Sequence, residues 1–205
     1  MNSVAFRREG VILSSRNKAS AAIDIERVAA AVHYVIFRTD AGKLGHVKLN
    51  RVLWYADLEH YRRHGASITG LQQYSRAPQG PLAPEIFRAV GWLARTGKVS
   101  ERPVAVADYT RREMVSVRDP DVLAFRSGEP AVLDRMISVI APLTARQLVQ
   151  MTSADPLWRE ISPGGAMVIA TGSIITRAPS PQSCAPPEAT SSVRRTGRSP
   201  RYSQA

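Results

Sequence analysis

The segment from Val47 to His64 limits the possible folds most strongly, because its pattern predicts one long amphipathic helix. The apolar side chains that recur at helical spacing are Leu49, Val52, Leu53 and Ala56. Gly65 follows at the position where a helix ends in the left-handed conformation. A helix with such an apolar stripe must be covered by other elements, so the chain is expected to build a helical core around it.

Four more helices are predicted from their start signals. These are the N-cap residue Asp24, the first-turn prolines Pro84 and Pro130, and the capping box of Thr144 with Gln147. Apolar residues continue at helical spacing after each of these starts. The helical part of the protein therefore comprises about five helices.

A small β-hairpin is predicted between the helix that begins at Pro84 and the helix that begins at Pro130. Its strands are the β-branched patches Val99–Val106 and Met114–Val117, and Pro103 places the first of them at a sheet edge. A strand or extended loop is also predicted within 67–77. The expected fold class is mainly α with a small β-hairpin (α+β), in one compact helical domain.

Composition along the chain predicts a folded central domain with a flexible N-terminal segment and a disordered C-terminal tail. Residues 1–20 are expected to be a flexible N-terminal segment, and residues 21–165 to form the helical domain. From Ala178 onward the chain is rich in Pro, Ser and Arg and poor in apolar residues, which is typical of disorder. Residues 166–205 are therefore expected to be a diverged end followed by a disordered tail.

The net charge of +11 is spread along the 205 residues. Residues 1–20 carry +3, the segment from Ala178 onward carries +3, and the middle carries +5. Nucleic acid is thus a possible partner but not the favoured one. The one cysteine, Cys184, excludes an internal disulfide, and no stretch is apolar enough for a secretory signal or a membrane span. A cytoplasmic protein without membrane attachment is expected.

Enzyme signatures are missing from the sequence. There is no G-x-S-x-G, no phosphate-binding loop ending in Lys-Ser or Lys-Thr, and no G-x-G-x-x-G. His60 and His64 are four residues apart and could share a metal ion, but they lack the H-E-x-x-H order, and Arg62 and Arg63 lie beside them. The prediction is a protein without catalytic residues, metal or cofactor.

Amphipathic side chains on the helix predicted from Val47 to His64, and others that follow it in the chain, are candidates for binding a partner instead. The group comprises Trp54, Tyr55, Asp57, His60 and Tyr61, together with Tyr74, Gln79-Gly80-Pro81 and Trp158. Aromatic residues with polar groups are enriched at binding hot spots, although packing between helices is their more common use. Asp57 is distinctive, because a carboxylate beside a buried stripe must find a hydrogen-bond donor or stay in water.

Three stretches, in order and in register, resemble the Panacea antitoxin domain family, whose members include SocA-type and phage-associated proteins. They are KLNRVLWYADLEHYRRHGASITG (48–70), QYSRAPQGPLAPEIF (73–87) and LTARQLVQMTSADPLWRE (143–160). The positions that match in the first stretch are Lys48, Leu49, Leu53, Tyr55, Ala56, Asp57, His60, Gly65, Ile68, Thr69 and Gly70. The sequence departs from the pattern at Ser153, where the family often has His, at Tyr61, where it has Leu, and after Gly164.

The resemblance implies an antitoxin, in a toxin-antitoxin pair or a phage-defence locus, that binds and neutralises a cognate toxin. Two alternatives stay open beside it, a proteolytic adaptor that delivers the toxin to a protease and a basic DNA-binding regulator; a metal enzyme ranks last. The residues predicted to contact the partner are Tyr55, Asp57, His60, Tyr74, Gly80, Pro81 and Trp158.

Overall fold

The structure is a computed structural model that describes residues 23–106, 109–177 and 179. The helices are α1 (Ile25–Arg38), α2 (His46–His64), α3 (Pro84–Arg95), α4 (Glu129–Ile140), α5 (Ala145–Ala154), α6 (Pro156–Glu160) and α7 (Ile169–Ile175). The strands are β1 (Gln73–Ala77), β2 (Gly80–Leu82), β3 (Val99–Val106), β4 (Tyr109–Ser116) and β5 (Ala166–Val168). A short 3₁₀ turn, Val122–Ala124, precedes α4. The mainly helical α+β class is confirmed, and α6 and α7 are short helices beyond the five expected.

Helix α2 is the centre of the domain. Every residue from Leu49 to His60 is buried, because α1, α4 and α7 and strand β2 all pack against this helix. A helix that is covered on all sides must bury its polar residues as well as its apolar stripe. The polar side chains of α2 must therefore find partners inside the protein.

The predicted helix ends are confirmed. Asp24 accepts hydrogen bonds from the N–H groups of Glu26 and Arg27, and Gly65 ends α2 in the left-handed conformation. Thr144 and Gln147 form the reciprocal capping box of α5. These signals are local, so they are readable from the sequence without knowledge of the tertiary structure.

The strands form two separate antiparallel sheets. One has the order β2-β1-β5, with Ser75 opposite Leu82 and Tyr74 opposite Met167. The other is the predicted hairpin of β3 and β4. Strand β4 begins at Tyr109 rather than Met114, because the polar residues before Met114 continue the pairing with the outer half of β3.

Two short elements after residue 165 pack against the rest of the domain. Strand β5 pairs with β1, and α7 packs against α2. The contact is close: a Cβ added at Gly172 would lie 2.8 Å from Leu58 Cδ2 and 3.1 Å from the Trp54 ring. Residues 166–175, part of the end that is expected to be diverged, are therefore packed against β1 and α2. The predicted flexible segment 1–20 and the tail from 180 lie outside the described residues.

None of the helices in the described part of the chain is both long and apolar enough to cross a membrane.

Candidate partner-binding site

A buried carboxylate, Asp57, fixes the segment that follows α2. Its Oδ1 accepts the backbone N–H of Thr69 at 2.9 Å, and its Oδ2 accepts the hydroxyl groups of Thr69 and Tyr74 at 2.6 and 2.9 Å. Asp57 is 0% exposed. The carboxylate thus joins α2 to the loop before β1 and to β1 itself.

Burial controls the ionisation of this pair. Loss of water raises the pKa of Asp57 to about 6, although the hydrogen bonds from Thr69 and Tyr74 act to lower it. Burial, and then the nearby Asp57 charge, raise the pKa of Tyr74 well above its ordinary value, so Tyr74 stays a neutral donor. The Tyr74 ring meets the Trp54 ring edge to face, with centroids 5.1 Å apart.

The turn between β1 and β2 rests on a buried guanidinium. A Cβ added at Gly80, where φ is +129°, would lie 2.7 Å from Arg51 Cζ, so only glycine permits this approach. Arg51 is 2% exposed and donates from Nε and Nη2 to the Thr152 hydroxyl oxygen at 3.2 and 3.0 Å, whereas its Nη1 finds no hydrogen-bond partner among the described residues. Burial lowers the pKa of Arg51.

Asn50, one residue earlier on α2, holds the end of the same turn. Its Oδ1 accepts the backbone N–H of Ala83 at 2.9 Å, immediately before α3 begins. Its Nδ2 donates to the carbonyl oxygen of His46 at 2.9 Å. The segment 80–83 is therefore held at both ends by side chains of α2.

A second buried carboxylate, Asp155, fixes the corner between α5 and α6. Its Oδ1 accepts the backbone N–H groups of Leu157 at 2.9 Å and Trp158 at 3.4 Å, as an N-cap of α6, and the Thr176 hydroxyl at 2.6 Å. The Tyr55 hydroxyl lies 3.5 Å from Oδ2. Asp155 thus ties α2, α6 and the end of α7 together.

His60 has a structural position rather than a surface one. Its Nδ1 donates to the carbonyl oxygen of Ala66 at 2.6 Å, and its Nε2 lies 3.8 Å from Glu129 Oε1. Glu129 is itself buried and pairs with Arg27. The rings of His60 and His64 lie 4.4 Å apart, and no three potential metal-ligating side chains come together in the described ranges.

The structure places six of the seven predicted contact residues in the interior. Tyr55, Asp57, His60, Tyr74, Gly80 and Pro81 are buried, and Trp158 is partly buried. A partner cannot touch the six buried residues in this conformation. Their predicted role in partner binding stays a prediction, and from these positions they would act by supporting a contact surface from behind.

Two of these buried residues connect to the corner around Trp158: Tyr74 lies on the same strand as Arg76, and the Tyr55 hydroxyl bonds Asp155, which caps α6. The Arg76 guanidinium lies over the Trp158 ring at 4.7 Å from its centroid, and Arg76 Nη1 donates to the carbonyl oxygen of Ile161 at 2.6 Å. Arg159 Nε donates to the carbonyl oxygen of Ser153 at 2.9 Å. We call Arg76, Ser153, Trp158 and Arg159 the corner surface.

Three important residues were missed by sequence reasoning. Arg51 was overlooked because a charged residue inside an apolar stripe is normally assigned to the solvent side. Arg76 carries no local signal, since its partner Trp158 is distant in the chain. Asp155 did carry one, because an acidic residue directly before a proline and a short helix is a typical N-cap.

The fold and the site together define a small α+β domain, in which buried polar side chains of one central helix hold the surrounding loops. The chain belongs to the SocA-like antitoxin family with a Panacea domain, since the family's profile matches residues 49–159, which is 111 of 205 residues. This match runs from α2 to α6 and includes both carboxylates. No curated protein and no solved structure matches the chain significantly.

Proposed function

We propose that the protein neutralises a cognate toxin by direct protein–protein binding through the corner surface. The observation that carries the proposal is the Arg76–Trp158 pair, in which a guanidinium stacks on a partly exposed aromatic ring at a rigid corner. Tryptophan and arginine are the residue types most enriched at binding hot spots. Family membership supports the antitoxin role, and such a role requires no catalysis.

The rigidity of the corner supports binding as well. Asp155 caps α6, and Arg76 lies on β1, the strand on which Tyr74 is bonded to Asp57. Both halves of the corner surface are thus anchored to α2. A surface that is ordered before binding loses less conformational entropy when the complex forms, which raises its affinity.

The positive charge of the corner surface indicates that the toxin contacts it with acidic groups. Arg76 and Arg159 are cationic, and each donates a hydrogen bond to a backbone carbonyl oxygen from one of its guanidinium nitrogens. Carboxylates on the toxin could accept hydrogen bonds from the guanidinium N–H groups of these two residues. An acidic loop that packs on the Trp158 ring fits this surface best.

The test is a growth assay with each neighbouring reading frame of the gene. Cells express the neighbour alone or together with this protein from a second promoter. The expected result is growth arrest by one neighbour and rescue by the wild-type protein but not by Trp158→Ala or Arg76→Glu. Folding of both variants is checked by their thermal unfolding transitions.

The matched control is Arg112→Glu. Arg112 is an exposed arginine on the β3–β4 hairpin, 74% exposed at its side chain, and lies outside the corner surface. It should rescue growth as the wild type does. If the corner variants fold and rescue equally well, the corner surface does not bind the toxin; if no neighbour is toxic, the antitoxin role fails.

Delivery of a toxin to a protease stays a prediction. It would need the same toxin surface and a second surface for the protease. Loss of the toxin protein in the rescued cells would indicate delivery, whereas an unchanged toxin level would indicate neutralisation by binding alone.

A further inference from the structure

A second surface lies where the C-terminal half of α2 meets α7. It is a groove of about 880 Å³, lined among others by Tyr61, Arg62, Ala170, Ile174 and Arg177. We call it the α2–α7 groove. It shares no residue with the corner surface, and the α7 side of it lies beyond the residues that match the family profile.

One wall of the groove presents an unusually exposed aliphatic side chain. Ile174 is 85% exposed, although its neighbour Ser173 and the nearby Ile169 and Gly172 are buried in the same short helix. A large apolar side chain held in water on an ordered helix is available to a partner. It offers an anchor for an apolar residue of another chain.

The position of this wall is fixed by Arg62. Its Nε donates to the carbonyl oxygen of Ser173 at 2.9 Å, and its Nη2 donates to that of Thr176 at 2.6 Å. Gly172 packs closely on Leu58, as described above. Ile174 is therefore presented by a helix that is anchored to α2.

The charge of the groove and its rim is positive. Arg62, Arg63 and Arg135 all pair with the one carboxylate of Glu59, at N–O distances of 3.1, 2.7 and 2.9 Å. Burial acts to raise the pKa of Glu59, but Arg135, Arg63 and Arg62 together lower it, so the carboxylate is ionised. These four residues carry +2, and the exposed Arg177 brings the sum to +3.

We infer that the α2–α7 groove binds an acidic segment of a protein partner, with an aliphatic side chain of that segment packed on Ile174. Charge complementarity selects acidic groups, and the exposed Ile174 selects a peptide over nucleic acid, because a phosphate backbone gains nothing from an isoleucine at the centre of its contact. The inference does not rest on the proposed function, since the toxin is assigned to the corner surface.

The experiment selects random twelve-residue peptides displayed on phage against the immobilised full-length protein. Enriched peptides are then synthesised with a fluorescent label, and their binding is measured by fluorescence anisotropy at two salt concentrations. The protein variants are Ile174→Ser and Arg177→Glu. Arg112→Glu is the matched control for the reversal of an exposed surface charge. A duplex DNA is the competitor.

The expected peptides are acidic and contain Leu, Ile or Val. Ile174→Ser should weaken their binding roughly tenfold, because an aliphatic contact is lost. Arg177→Glu should weaken it at least about threefold and reduce its salt dependence, since one rim charge is reversed. Arg112→Glu should bind as the wild type does, and duplex DNA should not displace the peptides.

Several results would overturn the inference. They are enrichment of basic or purely apolar peptides, peptide binding that both groove variants leave unchanged, or duplex DNA binding that Arg177→Glu abolishes. Both substituted residues are exposed, so folding should persist; if Ile174→Ser nevertheless unfolds, Arg177→Glu alone decides the outcome. Failure in this experiment would leave the growth assay of the corner surface unaffected.

Discussion

The substitution Asp57→Asn should change how the stability of the protein depends on pH. Asn keeps the shape of the side chain, and its amide can still bond Thr69 and Tyr74, because the two hydroxyl groups can reverse their hydrogen-bond direction. What it removes is the ionisation of a fully buried carboxyl group, whose pKa is about 6 in the folded protein against 3.8 ordinarily.

The sign follows from proton binding. The folded protein holds the Asp57 proton more tightly than the unfolded chain does, so protonation stabilises the fold. This contribution is fully present below the unfolded pKa of 3.8 and is lost as the pH rises through about 6. The whole difference amounts to about 3 kcal/mol, of which roughly 2 kcal/mol falls between pH 4.5 and pH 7.5.

The assay is urea unfolding of the wild type and Asp57→Asn at pH 4.5, 5.5, 6.5 and 7.5. The free energy of unfolding of the wild type minus that of the variant is taken at each pH, because other groups titrate equally in both proteins. This difference should fall by roughly 2 kcal/mol from pH 4.5 to pH 7.5. A difference that stays constant would show that the hydrogen bonds of Thr69 and Tyr74 fully offset the burial of the charge.

Three further substitutions test, by urea unfolding, the buried contacts of α2 and the capping box of α5. Gly80→Ala should destabilise the protein by roughly 3 kcal/mol or more, because its Cβ would meet Arg51 at an unfavourable φ; a loss below about 1 kcal/mol would contradict the close approach. Arg51→Met should leave the stability unchanged or raise it by up to about 3 kcal/mol, since it removes a buried cation that pairs with no carboxylate in the described part of the chain; clear destabilisation would mean that the charge is paired. Thr144→Ala should cost about 1 kcal/mol through the lost capping box, and no measurable cost would refute that contribution.

Local signals in the sequence predicted most of the fold. Asp24, Gly65 and the pair Thr144–Gln147 act through backbone groups within a few residues, so their effect does not depend on the rest of the chain. The hairpin was found from its β-branched strands. Strand β5 and helix α7 were missed, because a three-residue strand and a seven-residue helix form only through contacts with β1 and α2, which are distant in the sequence.

The candidate site, unlike the fold, depends mostly on contacts between residues that are distant in the sequence. The sequence indicated Tyr55, Asp57 and Tyr74 as candidate partner contacts, and in the structure they bond loops and corners to α2. It could not show that they are buried, because the covering elements come from both sides of α2 in the chain. The exposed pair Arg76–Trp158 depends on contact between residues 82 positions apart and became visible only in the folded protein.

The most direct test of the central claim is the dissociation constant of the purified complex with the toxin, measured for four forms of the protein. Trp158→Ala should weaken binding by roughly 30-fold or more, as expected for a hot-spot residue. Asp57→Asn and Arg112→Glu should bind within about threefold of the wild type, because one supports the corner surface without touching the toxin and the other lies elsewhere. Unchanged affinity of a folded Trp158→Ala would contradict the claim that this corner surface holds the toxin.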